Sequence, residues 1–233
     1  MTNGAGSDIV GHFRTGLDVI KRYPVMAAPP LAAQLVMFVL TLLFVVTAGA
    51  GVVVGGIAGG LFAGGLAFML VTLIGGILTL VASGVTIVMA RDALARREPS
   101  MGEALGTVMD RLADVLVASI LVMVIVGIGM VLLVIPGIVA AIFLMFALPA
   151  VLLDGTGAVD ALKRSTTLVK DNLGPVVGLI VGWIVAVIVV MIIAQILRFM
   201  PLVGRLASAL LFGVFIAYLT VVVVSVYQTL PRR

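Results

Sequence analysis

The chain has 233 residues, of which 63% are hydrophobic and only 10% charged, and its formal charge is +4. A water-soluble domain is about half apolar and about a quarter charged, so too few polar side chains exist here to cover a solvated surface, and the medium is lipid. The absence of cysteine excludes disulfides and thiolate metal sites, and a single histidine, His12, removes most metal and acid–base chemistry.

In chain order, Met1 to Ser7 is short, polar and glycine-rich. It lacks the basic-then-apolar pattern of a cleaved signal and is expected to be retained. Residues 7–22 read as an amphipathic helix lying in the membrane interface. Ile9, Val10, Phe13, Leu17 and Ile20 recur at helical spacing, Arg14, Asp18, Lys21 and Arg22 share the other face, and Ser7 is the expected N-cap. His12 among these charges is expected to be solvated. Tyr23 is placed as an interfacial aromatic, and Pro24 bends the chain where it enters the bilayer.

Residues 25–90 contain no charge at all. A crossing needs about 20 apolar residues, so this tract holds spans at about 25–48 and 66–90 with the glycine-dense run 49–65 between them. That run is a turn, a helix extension or a re-entrant segment. Gly51, Gly55 and Gly59 form one four-residue series and Gly56, Gly60 and Gly64 another. On a helix they give grooves for close helix packing, within or between subunits. An unwound loop lining a cavity is the other reading.

Polar sequence returns over 91–114. Ser100-Met101-Gly102-Glu103 has the form of a capping box and opens a helix over 100–113 with Leu105, Val108, Met109 and Leu112 on one face. The next spans are 115–135 and 138–153, joined by a turn at Pro136-Gly137, where proline removes a donor and glycine widens the accessible φ. Pro149 lies inside the second of these, which at about 24 Å is short for a crossing. Asp154-Gly155-Thr156-Gly157 is a sharp exit, with Gly155 in the turn. A second strongly amphipathic helix follows over 158–172. Its charges, Asp160, Lys163, Arg164, Lys170 and Asp171, lie with Thr167 on one arc of about 120°. The last spans are 176–197 and 206–227.

With six spans, twelve of the fourteen Lys and Arg fall on one face, and only Arg198 and Arg205 on the other. The positive-inside rule then places both termini in the cytoplasm, in the plasma membrane. The expected fold is an all-α polytopic bundle of about six transmembrane helices plus three cytoplasmic-face amphipathic interfacial helices, one membrane domain over 1–233. An order of interfacial helix, span, turn and span recurs three times in the same direction, unlike the inverted repeats of many transporters.

Ile135-Pro136-Gly137, Phe146-Ala147-Leu148-Pro149-Ala150-Val151, Asp154-Gly155, Gly157, Asp160-Ala161-Leu162-Lys163-Arg164-Ser165, Leu168-Val169 and Asn172 resemble the membrane domain found beside glycerophosphoryl diester phosphodiesterases and related prokaryotic membrane proteins. Lys21-Arg22-Tyr23-Pro24-Val25 is similar to the opening of the first span in that group. The resemblance implies a membrane fold and carries no hydrolase, because no stretch here is long and polar enough to hold the soluble catalytic domain.

No acid or base lies deep in a span, and no catalytic, cofactor or metal constellation is legible. Hydroxyls such as Thr72, Thr79 and Ser119 are expected to bond carbonyls of their own helices. Asp154, Asp160, Lys163, Arg164 and Lys170 on the cytoplasmic side, and Arg198 and Arg205 opposite, are candidate contacts to lipid head groups or a partner. Equally, they are a solvated helix face and snorkelling end-anchors. The composition points to a non-enzymatic membrane scaffold or accessory subunit, with lipids, a second copy or another membrane protein as partner and no nucleic acid. The alternatives are a channel or facilitator for a small or lipidic solute and, weaker, an enzyme of lipid metabolism.

Overall fold

The computed structural model describes residues 3–197 and 203–231, with side chains from 9 to 197 and from 207 to 231. Among the described residues every regular element is helical. We number the α-helices α1 (Asn3–Arg22), α2 (Ala28–Leu94), α3 (Met101–Asp110), α4 (Leu112–Leu132), α5 (Val134–Phe143), α6 (Ala147–Asp154), α7 (Ala158–Asp171), α8 (Leu173–Leu197) and α9 (Val203–Thr229), with a short 3-10 turn at Pro24–Ala27. Five stretches are long and apolar enough to cross a bilayer: Pro24–Leu94, Leu112–Leu132, Val134–Asp154, Leu173–Leu197 and Ala207–Thr229. This is a membrane protein.

The longest stretch folds back on itself. At Gly56 the backbone takes φ 62° and ψ −156°, a region open almost only to glycine, and the two arms of α2 return antiparallel. A Cβ at Gly51 would lie 2.7 Å from the Gly59 carbonyl oxygen, and one at Gly64 would lie 3.3 Å from Ala48 Cβ. Gly60 sits against Val52, and Gly75 against Met37. Phe44 and Phe68 meet edge to face. The run 49–65 is therefore helix on both sides of a single reversal, with no unwound loop. Its glycines have different uses: Gly51, Gly59 and Gly60 let the arms touch, Gly56 turns the chain, and Gly55 faces open space.

A second hairpin joins α4 to α5. Here the reversal falls on Leu133, which is extended at φ −161° and ψ 139°. Pro136 lies in the first turn of α5, where its missing N–H costs nothing, and Gly137 is a contact residue: a Cβ at Gly129 would lie 2.8 Å from Gly137 Cα. The expected Pro136-Gly137 turn is thus displaced toward the N-terminus, because proline suits a helix start better than a helix end. The descending segment runs from Val134 to Asp154 and is interrupted at 144–146. Pro149 supplies the reason, since its ring and absent N–H preclude a bond to the Met145 carbonyl four residues back.

The third hairpin is α8 and α9, and α1 lies in the groove along them. Ile9 covers Gly178 and Phe13 covers Gly182, so α1 runs parallel to α8. Gly16 rests on Tyr218 and Val222, so it runs antiparallel to α9. The buried face of α1 is Gly16 and Val19, with Val10 and Leu17 exposed, a rotation from the expected apolar face, because the groove admits a glycine where it is narrowest. The helix starts at Asn3, which places Ser7 within it rather than at its cap. His12, expected in solvent, instead bridges α1 to α9: Nδ1 is 2.7 Å from Ser225 Oγ and Nε2 is 3.3 Å from Thr229 Oγ1.

The hydrophobic core gathers at one end of the hairpins. It unites the end of α2 (Val85, Val88, Met89), Val108 of α3, Val115 and Ala118 at the start of α4, Phe146, Val151 and Leu152 around α6, Ala161 and Val169 of α7, Val176 and Leu179 of α8, and Val221, Val224 and Tyr227 of α9. We call this the base. Away from it the hairpins show apolar flanks, up to Val53 and Val54 at the tip of α2, 86% and 89% exposed. Span hydroxyls donate to their own helices, as Thr72 to Phe68 O, Thr79 to Gly75 O and Ser119 to Val115 O.

The hairpin geometry is tested with the double substitution Ala48→Cys/Gly64→Cys, whose Cβ separation is near disulfide range. Since the chain has no native cysteine, oxidation should close a single intramolecular bond, seen as a loss of two hydrogens in the intact mass. Only intermolecular dimers would contradict the reversal at Gly56.

Candidate functional site at the helix junction

The polar chemistry of the base collects where α6 ends. Gly155, in the left-handed region at φ 69°, caps α6 and returns its N–H to the Ala150 carbonyl. Thr156 Oγ1 donates to the same carbonyl at 2.9 Å. This tight turn brings α7 back beside α6, and Arg164 reaches across so that its Nε lies 2.9 Å from Asp154 Oδ2. The Tyr227 hydroxyl donates to the same oxygen in a short hydrogen bond. Tyr227 is fully buried, and its ring lies 5.6 Å from that of Phe146. The Asp154 side chain is 11% exposed and that of Arg164 36%, so a nearly buried carboxylate meets a cation of α7 and a phenol of α9. A second guanidinium, Arg111 at the α3–α4 break, lies against Gly155, where a Cβ would be 2.7 Å from Arg111 Nη2.

The next residue of α7, Ser165, performs the other essential task. Its hydroxyl donates to Phe143 O at 2.7 Å and accepts from Phe146 N at 3.1 Å. These are the backbone groups freed by the 144–146 interruption. Unsatisfied backbone in an apolar setting is costly, so a completely buried serine stabilises the broken helix.

The residues singled out from the sequence separate into distinct roles. Asp154 and Arg164 come together, with Gly155 shaping the turn between them. Asp160 and Lys163 form a loose pair at 3.5 Å with both side chains 74% exposed, and Lys170 is exposed on the last turn of α7. Pro149 sits inside α6, at the cause of the interruption. Arg198 and the side chain of Arg205 lie outside the described residues. Tyr227 and Arg111 were not legible as partners of this turn. Tyr227 is 73 residues from Asp154 and reads locally as the aromatic end of a span. The capping box at Ser100 is seen in its serine half, with Glu103 N 3.4 Å from Ser100 Oγ.

Chemically, the junction can hold helices together. A carboxylate tied to an arginine and a tyrosine joins three helices, and no group of three His, Cys, Asp or Glu side chains able to hold a metal occurs among the described residues.

Two predictions follow from these contacts. Ser165→Ala should destabilise the protein by about 2 kcal/mol through its stranded backbone groups and speed amide exchange at Phe146, measured by thermal unfolding in detergent and hydrogen exchange. Arg164→Gln should cost more than Tyr227→Phe, because it removes a charged rather than a neutral partner from a nearly buried carboxylate. Adding Asp154→Asn to Arg164→Gln should recover part of that loss in the same unfolding assay.

Comparison with known proteins finds no match among curated proteins and none among solved structures. The family model that does match covers residues 59–228, taking in the second arm of α2, the junction and both later hairpins. The match bears out the expected affiliation with an uncharacterised family and shows no link to glycerophosphoryl diester phosphodiesterases. With well over half of its length matched, the chain belongs to the uncharacterised protein family UPF0259.

Proposed function

We propose that this chain is a non-enzymatic scaffold or accessory subunit of the plasma membrane, crossing the bilayer six times as three hairpins and binding lipids or a partner membrane protein along their flanks. The observation that carries this reading is the distribution of packing. The core is confined to the base, and beyond it long apolar faces on α2, α4 and α8 stay uncovered. Each arm of α2 exceeds the roughly 20 residues a crossing requires. The base also carries Arg91, Arg96, Arg97, Arg111, Lys163, Arg164 and Lys170, which by the positive-inside rule makes it cytoplasmic. In this reading α3 and α7 lie at the cytoplasmic interface, and α1 enters from that side along α8.

A facilitator would draw its path from the glycine run or from the Pro136–Pro149 segment. The first is occupied by backbone-to-backbone contact between the arms of α2 and the second by the α4 contact and Ser165, so the scaffold reading is preferred.

Single cysteines placed at Lys163 and at Val54 should label with membrane-impermeant maleimide only from the cytoplasmic and only from the outer side respectively. Photocrosslinking in native membranes should capture a second copy or one recurring membrane protein on the α2 hairpin. Recovery of uncrosslinked monomer alone would overturn the scaffold reading, and labelling of both cysteines from one side would overturn the six-span topology.

A further inference from the structure

We propose that the cleft between the α4–α5 hairpin and α7 is a binding site for one anionic phospholipid. This rests on the membrane placement given above and names the ligand of that surface. The cleft holds about 450 Å³ and is lined by Ile125 of α4, Phe143 and Leu144 at the base end of α5, and Leu162, Lys163 and Thr167 of α7. Its hairpin side is wholly apolar, and its α7 side ends in a lysine. An apolar groove with one cation on its wall has the chemistry to take an acyl chain and the phosphate of its head group.

The cations of α7 divide between two duties. Arg164 turns inward to Asp154. Lys163, its neighbour, turns outward into the cleft, and its ion pair with Asp160, exposed on both sides, is of the kind that contributes little and yields to a phosphate. The backbone that carries the lysine is fixed to the hairpin, because Ser165, two residues on, is bonded to Phe143 O and Phe146 N. Lys163 therefore projects from α7 at the level where α5 ends. The hydroxyls in the cleft add no donor: Thr166 and Thr167 give their protons to Leu162 O and Lys163 O. Recognition therefore comes from charge alone. The site distinguishes anionic from zwitterionic lipid and does not distinguish one anionic head group from another.

The full chain with Trp183→Phe and Ile125→Trp carries its only indole in the cleft, since Trp183 is the sole native tryptophan. It is reconstituted into phosphatidylcholine vesicles containing brominated phosphatidylglycerol, brominated phosphatidylserine or, for reference, brominated phosphatidylcholine. Both anionic lipids should quench with an affinity about fivefold above phosphatidylcholine, the effect of one lysine near a lipid phosphate. Lys163→Gln should bring the ratio close to one, whereas Lys21→Gln on α1 should leave it unchanged. Equal quenching by all three lipids, or a preference that survives Lys163→Gln, overturns the proposal. Loss of the preference on adding excess inorganic phosphate also overturns it, by making this a site for free anions. The unsubstituted protein keeps Trp183, 46% exposed on α8, and its quenching by any brominated lipid reports membrane insertion separately. Absence of that signal counts against the membrane placement and not the cleft. If the Ile125→Trp protein does not fold, native mass spectrometry of the otherwise unaltered chain with and without Lys163→Gln gives the same decision. One phosphatidylglycerol fewer retained in the variant supports the site, and equal retention overturns it.

Discussion

Hydrocarbon cannot hydrogen-bond to a peptide group, and that constraint governs where this chain is allowed to break its helices. Three breaks among the described residues are resolved by protein. At Gly56 a glycine-only backbone conformation lets two helices meet end to end. At Leu133 the turn is a single residue, with Leu133 N bonded to Gly129 O and Leu133 O accepting from Gly137 N. At 144–146 the freed groups are taken by Ser165 from another helix. That last solution ties α7 to the broken segment, and with it the whole arrangement of the base.

A second consequence is the asymmetry of the packing. Apolar helices gain little from each other in lipid beyond close contact, since the surrounding tails are equally apolar. The α2 and α4–α5 hairpins are therefore held by glycine contacts along their arms, while the dense core forms where helix ends, amphipathic helices and polar turns converge. In that region large side chains such as Phe146, Met89 and Tyr227 are wholly enclosed. The Asp154–Arg164–Tyr227 cluster sits within this convergence and joins α6, α7 and α9. Charge that a span could not tolerate is affordable at its end, where each charge has a partner and some access to water.

Much of this was legible from local pattern. The apolar lengths, the charge-free tract from 25 to 90 and the periodicity of 158–172 dictate helices and their approximate limits, because hydropathy and the 3.6-residue repeat are properties of neighbours in sequence. Most of the helical face of α7 follows from the period: Ala158, Leu162, Ser165 and Val169 are buried and Asp160, Lys163 and Lys170 are not, while Thr166 is half-buried and Arg164 turns inward to Asp154. The recurrence of a short helix followed by a hairpin was visible as element order.

Other features depended on contacts between distant residues. Which glycine turns the α2 hairpin depends on how two arms register against each other, and six glycines offered the choice. The face α1 buries is set by the groove between α8 and α9, where Gly16 fits and Leu17 does not need to. Tyr227 and Arg111 reach the Asp154–Gly155 turn only after three hairpins have met. By itself, the sequence determined a helical membrane protein, because composition and periodicity act over a few residues at a time. Only the tertiary structure decided which cation turns inward and which stays exposed, because that depends on whether a carboxylate from another helix lies within reach.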